Sequence, residues 1–266
     1  MAGKSVIGSV AKVAVQKPAD AGIIHKTNAD FWDTVGNEAL GVISLPYYGA
    51  FISENKHHLF SEITDKKVLE IGCGNGRSLK YLSDLGAGEL WGVDLSDQQL
   101  KRAEKYLLSN NIHANLICSP MEEECGIPVN HFDYVYSIYA IGWTGDLNGT
   151  FQRIASYLKK DGVFIFSWSH PVHKCVALEN DQLVFCNSYF DESWYSSSAD
   201  NKELMMSDRM LSTYINALAE NGFMIEKMIE ENDEDLMKEE SLFSEKARVL
   251  PVTFVISARK LAEKKF

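Results

Sequence analysis

Apolar and polar residues along this chain fall into two alternating rhythms. Short runs rich in β-favouring residues occur at 68–71, 90–94, 114–118, 132–143 and 162–168. Amphipathic stretches lie between and after them, one opening at Arg77, one over 148–159 and one over 207–221. In the last, Met210, Leu211, Tyr214, Ile215 and Leu218 recur at helical spacing and Asn221-Gly222 supplies a stop. Two further apolar runs, 223–229 and 252–257, flank an acidic stretch at 230–240. The alternation of strand and helix patterns predicts an α/β domain.

The most informative segment lies where the first strand pattern ends. Val68-Leu69-Glu70-Ile71 runs straight into Gly72, Gly74 and Gly76, with an amphipathic run from Arg77. A strand that ends in a glycine turn and opens a helix brings bare backbone close to a ligand. The dinucleotide fingerprint would place glycine at 77, where this chain has Arg77. Glu70 would repel a pyrophosphate but attracts an ammonium group. The second strand ends in Asp94, where an acid accepts hydrogen bonds from both ribose hydroxyls, in this or in a nicotinamide cofactor. The ligand reads as a cationic amino-acid nucleoside rather than a diphosphate.

At this point Glu70-x-Gly72-x-Gly74-x-Gly76 resembles motif I of the class I S-adenosylmethionine-dependent methyltransferases. The resemblance covers 68–169, with its landmarks in the family's order. It implies a doubly wound, seven-stranded, mostly parallel sheet of the Rossmann-like methyltransferase type, with an antiparallel C-terminal strand. It implies S-adenosyl-L-methionine as cofactor, held by Glu70, Gly72, Gly74, Asn75, Gly76, Asp94 and Leu95. The loop Pro120-Met121-Glu122 falls where the family holds adenine; Pro120 departs from the usual acid, and Met121 reads equally as a ring contact or as core. Ser137 would lie beside the cofactor and Tyr139 would face the reactive methyl group.

Composition narrows the acceptor. The net charge of −11 opposes binding to nucleic acid, which demands clustered Lys and Arg. No apolar run is long enough for a membrane span or a signal peptide. Five scattered cysteines point to a reducing compartment, so a cytoplasmic enzyme with a small-molecule substrate is expected. Residues 1–24 read as a mobile arm, and 25–266 as the methyltransferase domain.

Substrate elements are expected at 25–60 and 169–199. The first carries Phe31, Trp32, Tyr47, Tyr48 and Phe51, either a lid over the sulfonium with Trp32 foremost, or a core helix face. The second carries His170, which could act as general base or hold the turn before Pro171. His170, His173 and Cys175 lack a fourth partner of metal-binding type, so no metal is expected. Methyl transfer from a sulfonium needs alignment and exclusion of water more than a base. Two other readings stay open: a different use of S-adenosylmethionine, such as intramolecular cyclisation, or a binding protein without turnover.

Overall fold

The structure, a computed structural model, describes residues 12–18, 20–36, 43–180, 182–199, 201–232 and 242–262. The first half of the chain runs β1 (Val13–Ala14), α1 (Ala21–Trp32), α2 (Glu54–His57), β2 (Lys67–Ile71), α3 (Arg77–Asp84), β3 (Glu89–Asp94), α4 (Asp97–Ser109) and β4 (Asn115–Cys118). Then come β5 (Phe132–Ile138), α5 (Leu147–Tyr157), β6 (Leu158–Ser169), α6 (Pro171–Lys174), β7 (Val176–Glu179) and β8 (Gln182–Phe185). The rest is β9 (Trp194–Ala199), β10 (Lys202–Ser207), α7 (Leu211–Glu220), β11 (Phe223–Ile229), α8 (Leu242–Ala247) and β12 (Thr253–Lys260).

Among the described residues, seven strands form the main sheet in the order β11-β12-β6-β5-β2-β3-β4. All pairings from β6 to β4 are parallel, while β12 runs antiparallel to both β6 and β11. The expected doubly wound sheet with an antiparallel C-terminal strand is therefore present. Its strands alternate between two buried faces, which is why they read as continuous apolar runs. Val68, Tyr134, Tyr136, Val163 and Ile165 pack with Leu79 and Leu82 of α3 and Leu100 and Leu107 of α4. Leu69, Ile71, Val135, Phe164 and Phe166 pack with Phe151 and Ile154 of α5 and Tyr214 and Leu218 of α7. From β2 the chain winds outward to β3 and β4, then returns to the other side of β2 as β5. That reversal puts a crevice at the carboxyl ends of β2 and β5, where open sheets bind ligands.

Three boundaries differ from the sequence reading. The helix expected over 207–221 begins at Leu211, because 204–207 belong to β10 and pair with β9, Met206 opposite Tyr195. The helix expected over 148–159 ends at Tyr157, because Leu158 is fully buried and pairs with Phe132. Part of the expected arm at 1–24 has defined partners: Val13 and Ala14 pair with β9, and Asp20 caps the helix that begins at Ala21. Residues 1–11 and 19 of that arm, 37–42 of the expected lid, 233–240 of the acidic stretch and 263–266 lie outside the described residues.

A second sheet, β1-β9-β10, backs α1. Buried Asn28 locks the two together: its Nδ2 donates to the Met205 carbonyl and its Oδ1 accepts from the Met205 N–H, each at 2.9 Å.

Candidate active site

The ends of β2, β3 and β4 are laced together by backbone. The N–H groups of Gly72 and Cys73 both donate to the Val93 carbonyl, at 2.8 and 3.0 Å, and Ser119 N–H donates to the Asp94 carbonyl at 3.0 Å. Asp94 closes the lacing from its side chain. Its Oδ2 accepts from Gly74 N–H at 2.8 Å and its Oδ1 from Ser96 N–H at 2.9 Å. Ser96 in turn caps α4 through Gln99 N–H.

The three glycines have different tasks. A Cβ on Gly72, at φ +73°, would lie 2.2 Å from the Cβ of Ala140 in the turn leaving β5. A Cβ on Gly76, at φ +77°, would press on Ala103 and Leu107 of α4 at 3.2 Å. These two glycines make room for the protein itself, and Gly74 is the one whose N–H meets the strand-end acid.

Around this loop lies a cavity of about 850 Å³, counted out to its solvent mouth. Its floor includes Glu70, Gly72, Gly74, Asn75, Asp94 and Leu95; Pro120, Met121 and Glu122 form one side and Tyr139 another. Met121 lines the cavity and also packs against the core. Trp32 lines the cavity from α1, edge-on to Trp143 with ring centroids 5.2 Å apart. Two expected members lie elsewhere. Gly76 caps the start of α3 and does not line the cavity, and Ser137 is fully buried within β5.

The acids of the floor are electrostatically unusual. Burial pushes Glu70 well above the ordinary carboxylate range, against hydrogen bonds from Ser78 and Tyr136 that favour its charge. Burial raises Asp94 too, and the N–H groups of Ser96 and Gly74 only partly offset it. Among the described residues, Arg77 is the one lysine or arginine lining the cavity.

Tyr139 stands in the left-handed region at φ 54°, with its hydroxyl 2.8 Å from Thr253 Oγ1. Burial pushes its phenol up to about 12, so it stays protonated at neutral pH. Its ring fills the space that a Cβ on Gly49 would occupy, 2.1 Å away.

Of the two expected substrate elements, 25–60 reaches the cavity in part and 169–199 does not. Within 25–60, Tyr48 is fully buried and donates to Glu54 at 2.6 Å, and Phe51 packs beside Ala247 and Val252. No described residue of 169–199 lines the cavity. His170 caps α6, its Nδ1 accepting from Val172 N–H at 3.2 Å, while its Nε2 lies 2.6 Å from Glu230. Both ring nitrogens are engaged away from the cavity, so His170 does not sit where a base must be.

His25, Asn28, Ile43 and Ser44 of the expected element at 25–60 line the cavity with Trp32, and the wall that the sequence reading missed is Gln99 of α4. His25 Nε2 lies 3.0 Å from Glu122 and its Nδ1 3.5 Å from Glu123. A visible signal was the spacing Ile24, Asn28, Phe31 after the capping Asp20, one buried helical face interrupted by a single polar residue.

Comparisons with known proteins agree with this geometry. A family model described as a methyltransferase domain matches residues 68–162. An uncharacterised protein of Haemophilus influenzae is 29% identical over 215 residues, covering 76% of this chain and 84% of its own length. A sterol 24-C-methyltransferase of Aspergillus fumigatus is 30% identical over 146 residues, 50% of this chain, and the match spans only 38% of that enzyme. A Listeria monocytogenes structure, described provisionally as an S-adenosylmethionine-dependent methyltransferase, matches with a TM-score of 0.67 at 26% identity, covering 77% of this chain and 95% of that one. Residues 68–162 therefore form a methyltransferase domain, and the chain shares its fold with S-adenosylmethionine-dependent methyltransferases.

Proposed function

We propose that this enzyme methylates a small-molecule acceptor, with S-adenosylmethionine bound in the cavity beneath α1. The observation that carries the reading is the pair Glu70, buried, and Asp94, half-buried, lining one cavity with Arg77 the only lysine or arginine beside them among the described residues. A ligand with an ammonium group and ribose hydroxyls stabilises their charged forms and so fits the residues present. Asp94 would hold the ribose and Glu70 the ammonium group. Leu95, Pro120, Met121 and Glu122 would enclose the adenine, and Trp32 and Tyr139 would offer ring faces to the cation.

When bound, the cofactor supplies an activated methyl group that leaves by in-line displacement at the sulfonium carbon. The protein's part is alignment and dryness. α1 roofs the cavity with Trp32, and Trp143 closes against it. Glu122 and Glu123 lie beside the two ring nitrogens of His25 and orient its ring in the wall. Rate enhancement here rests on positioning.

The cavity is lined by apolar and aromatic side chains with a few polar groups among them, the lining expected of a small-molecule site. The sterol enzyme among the relatives lends the same support. The test is to supply S-adenosylmethionine with panels of small-molecule acceptors, and with RNA and protein as controls, and to measure S-adenosylhomocysteine. Turnover confined to small molecules is expected. Turnover only on a macromolecule refutes the acceptor class, and consumption of the cofactor without S-adenosylhomocysteine refutes methyl transfer.

A further inference from the structure

Gln99, in the first turn of α4, is 1% exposed and lines the cavity. Its side-chain amide is oriented by two contacts: Nε2 donates to the Trp32 carbonyl at 2.9 Å and to the Val35 carbonyl at 3.0 Å. Those carbonyls lie at and just beyond the C-terminal end of α1, where the helix ladder runs out of N–H donors. With the nitrogen fixed, the oxygen is fixed too. Oε1 is enclosed and has no hydrogen-bond partner among the described residues. A buried amide oxygen without a donor is costly and asks for an explanation.

We infer that Gln99 Oε1 accepts a hydrogen bond from a ribose hydroxyl of the cofactor, so that one side chain both binds the ligand and holds the helix that roofs it. The inference rests on the reading that Asp94 holds the ribose. The hydroxyls are the donors expected nearest to Gln99, because its helix follows directly from Asp94 and starts at Ser96, whose N–H donates to Asp94. The same helix meets α1 twice more. Ser96 Oγ donates to Asp33 at 2.5 Å, and Arg102 donates to the carbonyls of Asp33 and Val35. Occupation of the ribose position thus stiffens the attachment of Trp32 to the site.

The test is calorimetry with S-adenosylhomocysteine and its 2′-deoxy, 3′-deoxy and N6-methyl analogues on the wild type, Gln99→Met and Gln99→Glu. In the wild type, removing the hydroxyl that meets Gln99 lowers affinity roughly tenfold. In Gln99→Met that loss shrinks to about threefold or less. Gln99→Glu keeps an acceptor but no amide donor, so it retains the loss while amide exchange at Asp33 and Val35 accelerates. Equal losses in the wild type and Gln99→Met, or a loss abolished in Gln99→Glu, overturn the inference. A difference that appears with the N6-methyl ligand instead also overturns it. If neither deoxy ligand binds more weakly to the wild type, the ribose reading of Asp94 fails first.

Discussion

Gly72 offers a sharp test of how the site is built, because its side-chain space is taken by the protein. Alanine there meets two penalties. The backbone at φ +73° costs a non-glycine residue about 1–2 kcal/mol. The new Cβ would stand 2.2 Å from the Ala140 Cβ, and overpacking of this kind typically adds about 1–3 kcal/mol. Gly126 supplies the control: its φ is +81°, yet nothing lies within 4 Å of the added carbon. Urea unfolding should show Gly126→Ala losing about 1–2 kcal/mol and Gly72→Ala about 2–5 kcal/mol. Adding Ala140→Gly to Gly72→Ala removes the obstructing atom and should return most of the difference. Equal losses at the two glycines, or no recovery in the double variant, would refute the packing argument.

Other expectations follow from single contacts. Asp94→Asn should weaken S-adenosylmethionine binding by about 1.5–3 kcal/mol in calorimetry, and unchanged affinity would remove its ribose role. Burial raises Asp94 and Glu70, so the ligand-free fold keeps protons that the unfolded chain has released, and its stability falls as pH climbs through the raised values. A cationic ligand reverses this. Its affinity should rise with pH over the same window, and binding should release protons, visible as a buffer-dependent enthalpy. His173 is pushed from the ordinary 6.5 down to about 3 by burial. Between those values the unfolded chain binds the proton and the fold does not, so stability is lost as pH falls through the window. His173→Gln should flatten that acid limb in thermal melts. Asn28→Ala strands the Met205 N–H and should cost about 2–4 kcal/mol with weaker cofactor binding; a normal melting point would show that β10 does not hold α1.

The main sheet and the glycine loop were legible because their signals are local. Strands buried on both faces are apolar throughout, and Glu70, the glycines and Asp94 sit at positions set by short spacings. The roof was not legible. Asn28 finds its partner at Met205 and His25 at Glu122, pairs that exist only once the chain has folded. Trp194–Ala199 is half serine and forms a strand because β1 and β10 pair with it. His170 shows the opposite error: its place after a strand end was read correctly, but an imidazole that caps α6 and meets Glu230 has its chemistry committed.

β12 has a consequence for assembly. It slots between β6 and β11, and its first residue, Thr253, anchors the hydroxyl of Tyr139. Until 253–260 have been made and inserted, β11 has no ladder partner among the described strands and Tyr139 lacks its contact with Thr253, although the glycine loop and Asp94 have long since emerged. A growing chain therefore carries the cofactor's landmarks well before it carries a finished site. Competence for methyl transfer arrives late in synthesis, as a property of the completed sheet.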